Sequence, residues 1–252
     1  MAKITACIIS YNEEKKIEAC LKSLDGIVDE IILIDSLSTD QTVKIASKYK
    51  AQIYDQKFLG HIEQKNLAVS KAKYDWILSL DCDERLSDEL RTSILAIKAG
   101  LGTDDAYKMA RKTYYIYRWL NHCWYPDMKV RLFNRRHASW GGTNPHDKVK
   151  VDSEKIGRLR GDILHYSFDT VSSHIQTLDK FSEIGATEII KRGKKVSIFS
   201  PFTHGFWIFF RMYFLKKGFL DGFAGLLASV LSFVHVFVKY SKVLVVRWRS
   251  ML

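Results

Sequence analysis

Three carboxylates follow a short apolar run near residue 80. The run Trp76–Leu80 has the length of a buried strand, and three of the next four residues are Asp81, Asp83 and Glu84. Asp81 and Asp83 are separated by one residue, so on an extended backbone their side chains point the same way and can converge on one ion. Carboxylate oxygens suit Mg²⁺ or Mn²⁺, and Mg²⁺ usually shares its coordination shell with substrate phosphates. The stretch therefore predicts a divalent cation at a strand tip.

Strands and helices alternate through the first hundred residues. We predict strands over 3–10, 29–35, 51–55 and 74–80, and helices over 14–24, 38–49 and 61–72, with a further helix capped at Ser87. Ser38 to Gln41 matches a capping box at the start of the second helix. Alternation of this kind predicts βαβ units and a mostly parallel sheet, which binds ligands at the carboxyl ends of its strands. Asp35, Asp81, Asp83 and the Tyr11-Asn12 turn all stand at such ends.

The pattern changes between residues 105 and 168 to short, aromatic-rich stretches that predict further strands. Among them, Ser139–Asp147 is interpreted as a loop that carries polar side chains. Residues 169–192 return to a helical pattern. We therefore expect the second half of the domain to supply loop residues to the site.

The charge is concentrated in the last quarter of the chain. The net charge is +11, but residues 191–252 contain eleven Lys or Arg and one acid, Asp221. The composition, 47% hydrophobic and 27% charged, is that of a folded protein. Four separated cysteines without a CxxC pattern favour a reducing compartment over a disulfide framework. We expect no secretory signal, and two functional zones of different charge.

The basic tail is also aromatic. Nine aromatic residues lie between 199 and 219, and an apolar run of 17 residues, 222–238, follows. That run is shorter than the ~20 residues needed to span a bilayer. The combination of aromatic and basic residues favours a helix that lies in the interface of an anionic membrane. A helical pair packed on the catalytic domain remains an alternative, and nucleic-acid binding is less favoured because no recognition motif is present.

Four motifs in the first ninety residues resemble the nucleotide-binding half of inverting glycosyltransferase family 2. They are Ile8-Ile9-Ser10-Tyr11-Asn12-Glu13, Leu33-Ile34-Asp35-Ser36-Leu37-Ser38-Thr39-Asp40, Gln64-Lys65-Asn66 and Leu80-Asp81-Cys82-Asp83-Glu84. The resemblance implies a GT-A fold, a UDP-sugar donor and a divalent metal. One departure is Leu37, which stands where many members have Gly, a residue suited to a tight turn.

The resemblance also implies roles for individual residues. Tyr11 would stack on the base and Asp35 would bond the uracil edge, while Glu13 and Lys65 would line the nucleotide pocket. Asp81 would contact ribose or metal-bound water, and the metal would be held by Asp83 and, in a further assignment, His165.

A later segment resembles bacterial lipopolysaccharide-core members of the same family. Trp140-Gly141-Gly142 followed by Pro145-His146-Asp147 is similar to their W-x-G-x-x-H-[DE] pattern. Inverting transfer needs a base that removes a proton from the acceptor hydroxyl, and a carboxylate or His within hydrogen-bond reach can do so. On this match Asp147 is the general base, and His146 orients it or contacts the donor.

Together these features predict an α/β protein of the GT-A fold with a C-terminal helical membrane-associating segment. We expect a catalytic domain over 1–195, with a nucleotide-binding half (1–100) and an acceptor half (101–195), and a tail over 196–252. The expected activity is transfer of a sugar, glucose by resemblance, from a UDP-sugar to a lipid-linked acceptor, the inner-core heptose of lipopolysaccharide. The enzyme would be cytoplasmic and peripheral on the inner membrane face. A polyprenyl phosphate acceptor, or a degenerate transferase that serves as a membrane or nucleic-acid binding module, are the alternatives.

Overall fold

The computed structural model describes residues 2–143 and 146–249, and the chain divides into two compact units. Unit 1 comprises residues 1–111 and 127–165, and unit 2 comprises residues 112–126 and 166–252. Residues 166–195, which the sequence-based division assigns to the catalytic domain, thus belong to the unit that contains the tail.

Four parallel strands form one half of the sheet in the described part of unit 1. They are β1 (Ile4–Ser10), β2 (Glu30–Asp35), β3 (Gln52–Asp55) and β4 (Trp76–Asp81), in the order β3-β2-β1-β4. The helices between them are α1 (Ile17–Ser23), α2 (Thr42–Ser47) and α3 (His61–Lys71). Ile9 on β1 lies beside Ile34 on β2 and Asp81 on β4, so the carboxyl ends of the strands meet at one edge.

The strands are apolar on both faces because each face is covered. Ile4, Ala6 and Ile8 of β1 pack in one core with side chains of α1, whereas Cys7 packs in a second core with side chains of α3. All four cysteines are buried and free. The α/β fold predicted from the alternating pattern is confirmed.

Antiparallel strands form the other half of this sheet. Beyond β4 the order continues through β8 (Asp127–Asn134), β6 (Ala106–Tyr115), β11 (Ile156–Phe168) and β5 (Glu84–Leu86). Helix α4 (Asp88–Ile97) follows β5 and is capped as predicted, since the Ser87 hydroxyl accepts from the Leu90 amide at 3.2 Å. Strand β5 pairs with β11 so that Glu84 lies opposite His165. This pairing brings the acidic stretch next to residues 80 positions later.

The predicted capping box at Ser38 is wrong. Helix α2 begins only at Thr42. The Ser38 hydroxyl donates to Asp35 Oδ1 at 2.6 Å and accepts from the Asn12 amide at 2.9 Å. Ser38 therefore joins two strand-end turns and does not cap a helix.

The predicted loop over residues 139–147 is also wrong for most of its length. Strands β9 (Ala138–Thr143) and β10 (His146–Val151) form an antiparallel hairpin in which Trp140 pairs with Val149. Asn144 and Pro145 lie outside the described residues, as does the side chain of His146. Asp147 is thus placed on a strand, where backbone pairing fixes its position.

Unit 2 is built mainly from helices. They are α5 (Val171–Lys191), α6 (Ser200–Phe210), a π-helical turn (Arg211–Leu215), a 3₁₀ turn (Gly218–Asp221) and α7 (Gly222–Arg249); a short strand β7 (Arg118–Trp119) pairs with the end of β6. Helix α7 packs against α5 and α6. The buried carboxylate of Asp221 accepts from the backbone amides of Asn121, His122 and Cys123 at 2.9–3.0 Å. It thereby fixes the start of α7 to residues 121–123.

Helix α7 is longer than the apolar run that the sequence outlines, because it continues through the basic residues to Arg249. By length and composition the helical stretch Gly218–Arg249 is able to cross a membrane, and its most apolar 18-residue window has a mean hydropathy of 1.7. One third of its most apolar window, 33%, is buried inside the protein. The rest contributes to an exposed apolar face of unit 2.

Candidate active site

A cavity of about 560 Å³ lies in unit 1 on the antiparallel side of β4. Its lining comes from α3, β4, β6, β8, β9 and β10 and includes Lys65, Asp81, Arg111, Lys129, Arg131, Trp140, Asp147 and Lys148. Three residues predicted from separate motifs, Lys65, Asp81 and Asp147, therefore meet in one cavity.

Lys65 connects the two acids. Its Nζ lies 2.8 Å from Asp147 Oδ2 and 3.1 Å from Asp81 Oδ1, and the residue is 5% exposed. The same Nζ lies 4.3 Å from the centre of the Trp140 ring, close enough for a cation–π interaction. An ammonium buried in this way is stabilised by paired charges and an aromatic face together.

The register between α3 and the hairpin is set by the neighbouring residue, Asn66. Its side-chain amide donates to the Trp140 carbonyl at 2.9 Å and accepts from the Trp140 amide at 3.0 Å. Asn66 thus satisfies both backbone groups of Trp140. Because Asn66 follows Lys65 directly, this pairing holds Lys65 opposite Asp147, which lies on the partner strand of the hairpin.

Two arginines hold the acidic stretch from the other side. Arg131 Nη2 lies 3.1 Å from Asp81 Oδ2 and 2.9 Å from Glu84 Oε1, and Arg111 Nη1 lies 3.2 Å from the same Glu84 atom. Glu84 is completely buried, and its Oε2 accepts from the Asp81 amide at 3.0 Å. Arg111 also pairs with Asp127 at 2.8 Å. The acids are therefore held in a network of alternating charge.

This network decides the protonation of its members. Burial alone would raise the pKa of the Asp81 carboxyl, but Lys65 and Arg131 outweigh it and hold that pKa well below its usual range. Burial would lower the pKa of Arg131, but Glu84 and Asp81 raise it above its ordinary value. Asp81 is thus an anion and Arg131 a cation at every physiological pH.

The two residues predicted to hold the metal are brought together. Asp83 Oδ2 lies 3.2 Å from His165 Nε2, and both side chains are half-buried. His165 Nδ1 is buried without a hydrogen-bond partner in the described part of the chain. Neighbouring ligands of an octahedral Mg²⁺ or Mn²⁺ stand about 3 Å apart, since each lies about 2.1 Å from the ion. The pair fits such an ion.

A third protein ligand is not supplied. The described residues contain no group of three or more His, Cys, Asp or Glu side chains placed to hold a metal. Mg²⁺ is commonly held by one or two carboxylates together with substrate phosphates and water. Asp83 and His165 would therefore suffice only for an ion that is shared with a substrate.

The strand-end turns place the remaining predicted residues. Tyr11 follows β1 and is 61% exposed, so its ring is open to a stacking partner. Asp35 is buried, and its carboxylate accepts from the Ser10 hydroxyl at 2.7 Å and from the Ser38 amide at 2.7 Å. In this arrangement Asp35 organises the turns, and its contact with uracil stays a prediction. The Glu13 amide donates to the Thr42 hydroxyl at 2.7 Å.

Leu37 adopts the left-handed conformation that its position requires. Its φ is +64°, in a region that favours Gly, and its side chain is 54% exposed. Leu37 thus occupies the kind of turn position for which Gly is suited, at the point where the chain departs from the pattern. Asn12 also has a positive φ, +53°, which Asn tolerates better than Leu does.

Sequence reasoning missed four residues of the site: Glu84 as a buried anchor, Arg111, Arg131 and the ring of Trp140. One feature of the sequence could have pointed to Arg131: it is a charged residue between two apolar ones, Val130 and Leu132, in a stretch with the pattern of a strand. A buried arginine needs an acidic partner, but only the fold shows that this partner is Asp81 and Glu84.

Comparisons with known proteins bear on the family and the fold of this chain. The sequence profile described as Glycosyl transferase family 2 matches residues 5–141. An uncharacterized glycosyltransferase of Rickettsia felis is 34% identical over 259 residues, which cover 96% of this chain and 89% of that protein. The lipopolysaccharide core biosynthesis glycosyltransferase LpsC of Rhizobium meliloti is 26% identical over 251 residues, covering 95% and 91%. The crystal structure of S. aureus TarS has a TM-score of 0.50 at 15% identity, covering 86% of this chain and 45% of that one.

Proposed function

The chain belongs to glycosyl transferase family 2, and on that basis we propose that it is an inverting enzyme that transfers glucose from UDP-glucose to an inner-core heptose of lipopolysaccharide. The observation that carries the proposal is the contact of Lys65 with Asp81 and Asp147 at 3.1 and 2.8 Å. It joins the acidic motif of the donor site to the candidate base. Similarity to LpsC supports the acceptor class.

Asp147 is the general base of the proposed mechanism. In inverting transfer the acceptor hydroxyl attacks the anomeric carbon from the face opposite UDP, and a carboxylate takes its proton. Asp147 lines the same cavity as Asp81, so the acceptor hydroxyl would bind beside the donor. The Lys65 ammonium donates to Asp147 Oδ2 and fixes the orientation of this carboxylate.

Tyr11, Glu13, Asp35, Lys65 and Asp81 form the donor site in this proposal. The exposed ring of Tyr11 would stack on uracil, while Asp35 holds the adjoining turn through Ser10 and Ser38. Lys65 and Arg131 place positive charge beside Asp81, where a diphosphate would lie.

Asp83 and His165 would hold the divalent cation, Mg²⁺ or Mn²⁺. A cation held there supplies positive charge that neutralises the departing diphosphate. In a thermal shift assay, UDP with Mn²⁺ should stabilise the wild type but not Asp83→Asn. UDP alone should raise the melting temperature of both proteins by the same amount. Unchanged stabilisation would contradict the metal site.

An exposed apolar face supports binding to the cytoplasmic face of the membrane, where a lipid-linked acceptor is displayed. We define the aromatic surface as Phe202, Phe206, Trp207, Phe210 and Phe214, which are 46–60% exposed. Phe206→Ser/Trp207→Ser/Phe210→Ser should release the protein from phosphatidylglycerol vesicles in a sedimentation assay. The control is Leu95→Ser, an exposed apolar residue of unit 1. Equal sedimentation of the triple variant and wild type would contradict this placement.

Transfer itself is tested with a panel of UDP-sugars and a heptose acceptor. We expect UDP-glucose to be used and Asp147→Asn to lose transfer by a factor of 10²–10⁴, the range for removal of a general base. The control is Asp152→Asn, which removes a carboxylate just beyond β10 and outside the cavity lining. Full activity of Asp147→Asn would instead indicate an acceptor such as polyprenyl phosphate, which needs no strong base.

A further inference from the structure

Unit 2 contains a second cavity, of about 280 Å³. Apolar side chains of Ile208, Met212 and Val236 line it, together with the ring of Trp124. Two cations, Arg211 and Lys216, belong to the same lining. Arg211 is exposed and Lys216 is half-buried, and Ser232 and His235 complete the polar part of the lining, so the cavity combines apolar side chains with cationic ones.

The two cations flank the π-helical turn, because Arg211 is its first residue and Lys216 directly follows its last. The Lys216 amide donates to the Arg211 carbonyl at 2.8 Å, a hydrogen bond between residues five positions apart. In an α-helix these residues would point about 140° apart at about 100° per residue, whereas the wider π turn brings them closer to the same face. π turns of this kind are frequent at functional sites.

The turn is held in place by close backbone packing. Gly218 follows it, and a Cβ at this position would lie 2.7 Å from the Met212 carbonyl oxygen and 3.0 Å from Cys123 Cβ. Lys217 adopts a positive φ of +55°. A side chain at 218 would therefore push the turn away from Cys123, so the positions of Arg211 and Lys216 are fixed by the fold.

The charges of the two cations are not compensated. Neither Arg211 nor Lys216 forms an ion pair within the described ranges 2–143 and 146–249. Asp221 is the acid nearest to them in sequence, and it is buried and accepts from three backbone amides. Two cations without an acid in the lining of a partly apolar cavity favour an anionic ligand with a hydrocarbon part.

The surroundings indicate where such a ligand comes from. Trp207, Phe210 and Phe214 of the aromatic surface lie on the same helical segment as Arg211 and are exposed. Aromatic rings next to basic side chains are typical of segments at the headgroup level of a membrane. A cavity of about 280 Å³ lies just below the usual range of ligand sites, which begins at about 300 Å³, so it suits a part of a lipid and not a whole one.

We propose that this cavity is a specific site for one anionic phospholipid, with Arg211 and Lys216 binding its phosphate and Ile208, Met212 and Val236 contacting its acyl chain. The site rests on the proposed association with the membrane and adds a saturable lipid site to it. It makes binding depend on the identity of the headgroup and not only on the density of surface charge.

The experiment measures binding of water-soluble dihexanoyl phosphatidylglycerol to the full chain by titration calorimetry. Dihexanoyl phosphatidylcholine tests the headgroup, since it has the same chains without net charge, and inorganic phosphate tests the anion alone. Arg211→Gln/Lys216→Gln removes the two cations. Lys191→Gln/Lys195→Gln is the matched control, because both of its lysines are exposed cations of unit 2 outside the cavity.

We expect one phosphatidylglycerol per chain, with binding about 25-fold weaker in Arg211→Gln/Lys216→Gln at about fivefold per basic residue, and unchanged in the control. Ser232→Leu, which fills the cavity without changing charge, should also lose binding. Equal binding by wild type and Arg211→Gln/Lys216→Gln would overturn the proposal, as would equal affinity for phosphatidylcholine or inorganic phosphate. No UDP-sugar is present, so this outcome is independent of the transfer reaction.

Discussion

Replacing Lys65 with Met tests whether the candidate site is held together by the charge of this residue. Met has a similar length and no charge, so Lys65→Met leaves the carboxylates of Asp81 and Asp147 facing each other without the ammonium between them. The wild-type distances are 3.1 and 2.8 Å, and Lys65 is 5% exposed. The two acids should then repel each other and remain partly desolvated.

The expected loss follows from the burial of the three groups. Removing one partner from a buried ion pair costs about 3–5 kcal/mol. Asp81 keeps Arg131 at 3.1 Å, and the Asp81 and Asp147 side chains are 29% and 14% exposed, so Arg131 and water compensate for part of the loss. We expect the free energy of unfolding of unit 1 to fall by about 2 kcal/mol at pH 7. At a slope of about 2 kcal/mol per molar, the urea midpoint falls by about 1 M.

The pH dependence gives a second readout. The pKa of Asp81 is depressed in the folded protein, so its ion pairs stabilise the fold above the unfolded pKa of 3.8, and this contribution is lost as the pH falls towards the depressed value. The difference in the free energy of unfolding between wild type and Lys65→Met should have its full size at pH 7 and become smaller below about pH 4. Lys71→Met, an exposed position on the same helix, should change stability by less than about 0.5 kcal/mol. The ion-pair reasoning would be refuted if Lys65→Met lost no more stability than Lys71→Met, or if its loss of stability grew as the pH fell.

Three further changes probe other parts of the structure. Leu37→Gly should raise the free energy of unfolding by about 0.5–1 kcal/mol in urea titrations, because φ at this exposed position is +64°. Asp221→Asn should lower the melting temperature, with a loss of about 2 kcal/mol, since buried amides lose a charged acceptor. Burial lowers the pKa of His174 to about 4, so folding excludes its proton and stability should fall as the pH drops from about 6.5 to 4. Stability should depend less on pH in His174→Phe, although Tyr115 loses its 2.8 Å hydrogen bond there. Urea midpoints measured across this pH range check the difference.

The parallel half of the fold was predictable because its signals are local. Each apolar run such as Ile4–Ser10 is followed by a helix, and parallel strands align their carboxyl ends whatever lies between them. The acids at Asp35 and Asp81 could therefore be placed at one edge from sequence alone. The capping box at Ser38 failed for a local reason, since Asp35 competes for the Ser38 hydroxyl at 2.6 Å.

The antiparallel half of the site was less predictable because it depends on pairing between distant segments. The resemblance predicts a role for Asp147, but the contact of Asp147 with Lys65 depends on the hairpin of β9 and β10 and on Asn66. The sequence pattern does not show this hairpin, because it predicts a loop over residues 139–147. Arg131 meets Glu84 across 47 residues of sequence. Hydrophobic periodicity carries no information about such partners.

The charge of the cavity shows why the network matters for the substrate. Among the charged side chains that line it, Lys65, Arg111, Lys129, Arg131 and Lys148 are basic, and Asp81 and Asp147 are acidic. Residues 1–190 are nearly neutral as a whole, so the overall charge does not reveal that basic side chains outnumber acidic ones in this lining. Glu84 and Asp127 pair with Arg111 and Lys129 from outside this lining, and Asp81 and Asp147 are paired with Lys65 and Arg131, so the net excess of basic side chains is small. The fold thus keeps carboxylates inside the cavity without giving it a net negative charge, as the proposed binding of an anionic donor requires.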